Sequence, residues 1–180
     1  NNLTASGDFA TALGDSNTAS GEGSLATGNG NTASAYASTA LGYETTATAL
    51  ASTAMGYDTT ASDQSATALG QHTTASGFAS TAMGGITTAS GSVSLAAGYV
   101  AQSEGYASMA LGFRTRAETF AEVSLGTTPV PNTGNFQTFA ATDVLLEVGN
   151  GTTGAPSNAL TIFKNGLIGV GPADTVAEVT

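Results

Sequence analysis

Cysteine and tryptophan are absent from the 180-residue sequence, and only three basic residues stand against thirteen acidic ones. Without cysteine, the chain has no disulfide framework, no thiolate zinc site and no cysteine nucleophile. The formal net charge of −10 argues against nucleic acids and anionic membranes as partners. No run approaches 18 consecutive apolar residues, so the sequence predicts no membrane insertion by this segment.

Large apolar side chains are also scarce. Charged residues make up 9% of the chain and aromatic residues 7%, while the 41% of hydrophobic residues is mostly alanine. Alanine buries little area per residue, so the composition does not support a conventional globular core.

A 14-residue repeat fills the first two thirds of the chain. Its unit is T-A-S-G-x-x-S-T-A-[LM]-G-x-x-[TN], with alanine two residues before each repeat glycine except at Ser124. Self-similarity at a fixed short period is typical of solenoids rather than of globular folds. The glycine column, which we expect to mark a turn of positive φ, is Gly14, Gly28, Gly42, Gly56, Gly70, Gly84, Gly98, Gly112 and Gly126.

The repeat predicts strands rather than helices. One or two glycines per unit and a body rich in threonine and serine oppose a coiled coil of two heptads. In S-T-A-L-G, the threonine and leucine share one face and the alanine takes the other, which is strand periodicity. We therefore expect a parallel β-solenoid with two strands of about four or five residues per coil. Which face forms the core stays open at this point.

A coil this thin leaves its leucine and methionine column poorly covered. Repeat units need neighbours to bury their apolar faces. We therefore expect obligate oligomerisation, in which several solenoids bury this column at a shared axis.

Four strings carry a family resemblance: S-T-A-L-G (38–42), S-T-A-M-G (52–56 and 80–84) and S-M-A-L-G (108–112), alternating with T-A-S-G. They resemble the S-V-A-I-G repeat in the head of YadA-type trimeric autotransporter adhesins. The resemblance implies an all-β, left-handed parallel β-roll, a homotrimer and an extracellular place on a bacterial cell surface. Threonine stands where the family has valine at positions 11, 39, 53, 67 and 81. Similar arrays occur in tail fibres of phages and injection systems.

The sequence changes character after the repeats. We predict three parts: a β-roll of nine repeats (1–126), a connector containing proline and glycine (127–135), and a small antiparallel β-hairpin or meander domain (136–180). Asn165-Gly166 between two strand-like runs predicts a hairpin with a type I′ turn. The stretch 143–171 resembles the connector of fibre proteins that end in an endosialidase-type self-cleaving chaperone.

No catalytic, metal or cofactor site emerges from the sequence. His72 is the only histidine, so neither a Ser/His/Asp set nor a transition-metal site is supported. Aromatic residues instead recur in two columns near the turns, where they either face a ligand, cover the turns or pack between chains. The candidate ligand-facing aromatics are Tyr36, Tyr43, Tyr57, Phe78, Tyr99 and Tyr106.

The repeat and the resemblance favour a structural or adhesive segment of a homotrimeric surface or tail fibre that attaches to host cells, matrix or glycans. The partners expected are the chain itself and an extracellular protein or glycan. One alternative is an ice-binding solenoid that uses the ladder of threonine and serine; another is an inert spacer of a tail fibre. A carbohydrate-active enzyme would need paired carboxylates at a defined separation, whereas the acids here shift column from coil to coil.

Overall fold

The computed structural model describes residues 2–131 and 134–171, together with the backbone of residues 176–177. These residues form strands, turns and loops, and none of them is helical. Each repeat makes one coil that contains a two-residue strand and a five-residue strand. In chain order these are β1 (Thr4–Ala5), β2 (Thr11–Asp15), β3 (Thr18–Ala19), β4 (Leu25–Asn29), β5 (Thr32–Ala33), β6 (Thr39–Tyr43), β7 (Thr46–Ala47), β8 (Thr53–Tyr57), β9 (Thr60–Ala61), β10 (Thr67–Gln71), β11 (Thr74–Ala75), β12 (Thr81–Gly85), β13 (Thr88–Ala89), β14 (Leu95–Tyr99), β15 (Gln102–Ser103), β16 (Met109–Phe113), β17 (Arg116–Ala117) and β18 (Val123–Thr127).

The coils stack in register into two parallel sheets. The odd-numbered short strands, β1 to β17, form one sheet, and the even-numbered long strands, β2 to β18, belong to the other. In both sets of strands each residue pairs with the residue 14 positions later, as Ala68 does with Ala82. The predicted parallel solenoid of 14-residue coils is therefore confirmed. The predicted length of four or five residues is wrong for the short strands. They stop at two residues because a β-turn follows, closed in one coil by a bond from the Ser52 amide to the Ala49 carbonyl.

The interior of the solenoid is an alanine core. Both strands of a coil turn one alanine inward, and from Ala19 to Ala117 these side chains are fully buried, with Ser103 taking the place of one of them. The alanine face therefore forms the core, and the threonines, leucines and methionines of the long strands point outward. The two sheets approach closely enough that small side chains suffice to fill the space between them.

The repeat glycines lie in the long strands rather than at a turn. Each occupies the fourth strand residue, two positions before the corner, with φ between 96° and 133°. A Cβ added at Gly70 would overlap the carbonyl oxygen of Gly84 in the next coil. The column is therefore glycine because the backbones of adjacent coils touch there.

The turns of the solenoid use left-handed residues at two corners of each coil. Sixteen residues other than glycine have φ between 40° and 59°, among them Ala51 and Asp58. From the second coil onward, their amides donate to carbonyls of the preceding coil, as Asp58 does to Tyr43 at 2.9 Å. These inter-coil bonds offset the strain of the left-handed conformation, even at the β-branched residues Ile86 and Val100.

A buried polar column follows the second corner. Asn17 and Asn31 begin it: the Asn17 Oδ1 accepts from the backbone amide and the Nδ2 of Asn31, both at 2.9 Å. The Thr45 hydroxyl continues this series of hydrogen bonds by donating to the Asn31 Oδ1 at 2.7 Å. Further along, four buried threonine hydroxyls have no hydrogen-bond partner among the described residues, those of Thr59, Thr73, Thr87 and Thr115.

We expect Thr73→Val and Thr45→Val to change stability in opposite directions. Removing the unpartnered Thr73 hydroxyl should raise the free energy of unfolding by about 1 kcal/mol, since valine keeps the shape of the side chain and removes a buried polar group that has no hydrogen bond. Removing the bonded Thr45 hydroxyl should lower it by about 1 kcal/mol. Denaturant unfolding followed by circular dichroism measures both. Equal destabilisation by the two changes would contradict the assignment.

The chain continues the long-strand sheet after the last coil. Strand β19 (Val144–Asn150) adds to β18 in parallel, and β20 (Asn158–Phe163), β21 (Ile168–Val170) and β22 (Val176–Ala177) follow antiparallel. The predicted antiparallel meander is confirmed and shares this sheet with the solenoid. The domain boundaries at 126 and 135 stay a prediction.

The hairpin at Asn165-Gly166 has a different turn from the predicted type I′. Only Gly166 has positive φ (89°), whereas a type I′ turn needs positive φ at both central residues. The Gly166 amide donates to the Phe163 carbonyl, and the Phe163 amide donates to the Leu167 carbonyl. These bonds describe a longer loop in which a left-handed glycine follows the β-turn.

Candidate functional site

The outer face of the long strands carries an apolar ladder. It runs the length of the solenoid one residue before each repeat glycine. Leu13, Met55 and Met83 are exposed, at 56%, 42% and 38%, and the other leucines of the ladder are half-buried. Thr27 and Ala97 interrupt it. Its members are Leu13, Leu41, Met55, Leu69, Met83, Leu111 and Leu125. An exposed apolar surface of this extent is typical of an interaction site.

The outer face of the short strands is a hydroxyl face. The first strand residue is threonine in seven successive coils, from Thr4 to Thr88, and is half-buried in all but the first. Two residues later stands an exposed serine, or Thr48 in the fourth coil. Charge enters this face only in the last two coils. There Arg116 contacts Glu104 and Glu118, at 3.0 Å and 2.9 Å.

The candidate ligand-facing aromatics lie at the corners, in two rows on opposite edges. All six predicted residues are exposed: Tyr36, Tyr43, Tyr57, Phe78, Tyr99 and Tyr106. Some stack on the aromatic residue of the neighbouring coil, as Tyr43 does on Tyr57 with ring centroids 5.2 Å apart. A glutamate beside Tyr43 raises the pKa of that phenol through a hydrogen bond and charge repulsion. The structure thus places the six aromatics along two edges. Four of them stack on a neighbouring ring, in the pairs Tyr43–Tyr57, Tyr99–Phe113 and Tyr106–Phe120.

His72 lies at the second corner of its coil, one position after the row that contains Tyr43 and Tyr57. Its Nδ1 lies 2.8 Å from the Asp58 Oδ2 in the preceding coil, and its ring makes an edge contact with Tyr57. Both side chains of this contact are about half exposed, so it contributes little to stability. Among the residues that the structure describes, no cluster of three or more His, Cys, Asp or Glu side chains could hold a metal ion.

A polar plug closes the alanine core at its C-terminal end. Glu122 is fully buried where other coils have serine or alanine, and its Oε2 accepts from the backbone amides of Glu118 and Thr119. Glu147 on β19 is also buried; its carboxyl oxygens accept from the Ser124 hydroxyl at 2.7 Å and from the Asn158 Nδ2 at 3.2 Å. Ser124 therefore interrupts the alanine column because it is the hydrogen-bond donor to Glu147.

Burial raises the pKa of Glu147 from 4.5 to about 8. The hydrogen bond from Ser124 opposes this shift, and the nearby negative charge of Glu122 adds to it. Glu147 is consequently protonated in the folded protein at neutral pH, which removes the cost of a buried charge. The sequence analysis missed this group because residue 147 lies outside the repeat.

The only lysine of the chain covers the same end. The Nζ of Lys164 lies 3.5 Å from the Asp143 Oδ2, and 5.7 Å from the ring centres of both Phe120 and Phe139. Its side chain is almost completely buried. Cation–π contacts and the ion pair therefore fasten the loop after the solenoid onto the last coil.

The comparisons with known proteins agree with this geometry. The YadA head domain repeat model, which spans two copies of the repeat, matches residues 5–31, 19–45, 33–58 and 47–73. Residues 5–73 are thus similar to YadA head repeats. The coils after residue 73 continue them in unbroken register, as in the pairing of Thr67 with Thr81. No curated protein sequence matches the chain.

YadA head repeats belong to a structural adhesin family and not to an enzyme family. The resemblance seen in the S-T-A-L-G strings is thus confirmed for the repeats. Such repeats are a surface-exposed adhesin element. In the described part of the chain, no helix has the length and apolar character needed to cross a bilayer.

Proposed function

We propose that the chain is a segment of a homotrimeric fibre on a bacterial surface or a tail structure, and that the fibre attaches to host cells, matrix or glycans. The observation that carries the trimer is the apolar ladder. Because the alanine core takes up the interior, the leucines and methionines of the ladder stay exposed or only half-buried within one chain. Three copies around a common axis would bury all three ladders against one another. The head-repeat family supports the same arrangement.

The mass in solution tests the trimer directly. Light scattering on a size-exclusion column should give three times the chain mass of 17.5 kDa. A monomer at micromolar concentration would refute the trimer and remove the explanation of the apolar ladder.

We expect the double variant Met55→Glu/Met83→Glu to dissociate the trimer. Six carboxylates would then meet near one axis in a water-poor interface, which costs several kcal/mol in total. The matched control is Ser62→Glu/Ser90→Glu, which adds the same charge on the hydroxyl face, in a column that already carries Glu104 and Glu118. The control should remain trimeric. If both variants dissociate, the effect is one of net charge and the ladder is not the interface.

The geometry also supports a second candidate, an ice-binding solenoid. The hydroxyl face is regular and uncharged from Thr4 to Ser90, with threonine and serine in two parallel files. Inhibition of ice recrystallisation at micromolar protein would support this function, and full recrystallisation would remove it.

A third candidate function is that of an inert spacer, which binds no ligand itself and holds a binding domain at a distance. The resemblance of residues 143–171 to the connector of chaperone-bearing fibre proteins favours the tail-fibre form. A fibre segment that forms trimers but attaches to no cell, matrix protein or glycan would be such a spacer.

A further inference from the structure

A groove of about 450 Å³ lies beside the eighth coil, where the loop that follows the solenoid turns back along one corner. This volume is within the usual range of small-molecule sites. Two backbone bonds hold the loop in place: the Tyr106 amide donates to the Phe136 carbonyl and the Phe120 amide to the Asn135 carbonyl, both at 2.8 Å. The groove is lined by Ser90, Ser92, Glu104, Tyr106, Phe136 and Gln137.

The lining combines aromatic rings with hydrogen-bonding groups. Tyr106 and Phe136 are both exposed, at 45% and 56%. Tyr106 is held from behind by stacking on Phe120, with ring centroids 5.5 Å apart. The Glu104 carboxylate is oriented by two guanidinium nitrogens of Arg116, at 3.2 Å and 3.0 Å. The groove therefore presents rings and acceptors whose positions are set before any ligand arrives.

We infer that this groove binds a neutral oligosaccharide. A sugar ring has an apolar C–H face that stacks on an aromatic ring, and hydroxyls at its edge that bond to carboxylate, amide and hydroxyl groups. Anionic sugars are disfavoured because Glu104 supplies negative charge, while Arg116 is already paired with Glu104 and Glu118. The inference deepens the proposed attachment function and depends on it only for its biological role.

The position of the groove agrees with attachment by an assembled fibre. Tyr106 follows a short strand, whereas the apolar ladder lies on the outer face of the long strands. The groove thus stays open when the ladder is covered, and a trimer would present three copies, which strengthens weak saccharide binding through multivalency.

Saturation-transfer NMR on the full chain tests the inference, with maltotriose, cellotriose and N-acetylchitotriose as neutral probes and sialyllactose as the anionic one. We expect at least one neutral trisaccharide to bind at millimolar concentration or below, and sialyllactose to bind more weakly. Tyr106→Ala and Phe136→Ala should each weaken binding about tenfold. Phe136 lies on an exposed loop outside the repeats, so its variant leaves the stacked coils intact.

The matched control is Phe113→Ala, which removes an aromatic ring of similar exposure, 41%, from the opposite edge of the same coil. It should bind like the unchanged protein. Absence of binding by every neutral trisaccharide would overturn the inference, as would an equal loss of affinity in all three alanine variants. Light scattering on the same samples separates the two proposals. A trimer that binds no saccharide refutes the groove alone, and a monomer that binds refutes the trimer alone.

Discussion

Gly70→Ala should unfold the middle of the solenoid or destabilise it by at least about 4 kcal/mol. Gly70 has φ 122°, a conformation that residues with a side chain rarely adopt, and a Cβ there would overlap the Gly84 carbonyl oxygen. Relief would require the two coils to separate, which breaks the hydrogen bonds of both sheets at that level. Thermal unfolding followed by circular dichroism measures the loss, and limited proteolysis locates it.

The matched control for this change is Gly23→Ala. Gly23 also has positive φ, at 63°, but no atom lies within 4 Å of an added Cβ. Other coils hold alanine at the equivalent corner, as at Ala37 and Ala51. The control should change stability by less than about 1 kcal/mol. Similar melting temperatures for the two variants would show that the glycine column is not required for coil stacking.

Glu147→Gln should stabilise the protein at pH 8 and leave it nearly unchanged near pH 4.5. The pKa of Glu147 is raised to about 8 in the folded state, so between pH 4.5 and 8 the folded protein holds a proton that the unfolded chain has released. The free energy of unfolding therefore falls as the pH rises through this interval, by about 4 kcal/mol in total. Glutamine removes this dependence and keeps an acceptor oxygen for the Ser124 hydroxyl.

Denaturant titrations at pH 4.5, 6 and 8 measure this difference. Glu22→Gln is the control, because Glu22 is an exposed acid at a corner of the second coil. It should retain the pH dependence of the unchanged protein. If the unchanged protein is equally stable at all three pH values, Glu147 is not a buried acid that becomes charged in this interval.

The 14-residue period and strand alternation were enough to predict the solenoid and its parallel stacking, and the strand-like runs around Asn165-Gly166 predicted the meander. Neither could show which face was internal, since alanine fits both a narrow core and an exposed strand. The short strands were predicted too long, because the turn that follows each of them consumes residues with strand-like composition.

Two departures from the repeat occur at the polar plug, but the sequence alone does not explain them. Ser124 is the one exception in the alanine column, and Glu122 stands where the repeat expects serine. Their role depends on Glu147, which is 23 residues beyond Ser124 and reaches it only through the parallel pairing of β18 with β19. Similarly, the groove beside Tyr106 depends on a loop whose return path no local pattern in the sequence specifies.

The left-handed corners have a consequence for how the solenoid can diversify. Their conformation is held by backbone bonds to the preceding coil, and the second corner position carries serine, glycine, glutamate, aspartate, histidine, isoleucine, valine, arginine and threonine in successive coils. The same backbone thus accepts acidic, basic, apolar and polar side chains at a site that faces solvent. Mutation can therefore change the side chains along this edge of the solenoid one residue at a time, while the backbone shape of the edge stays constant.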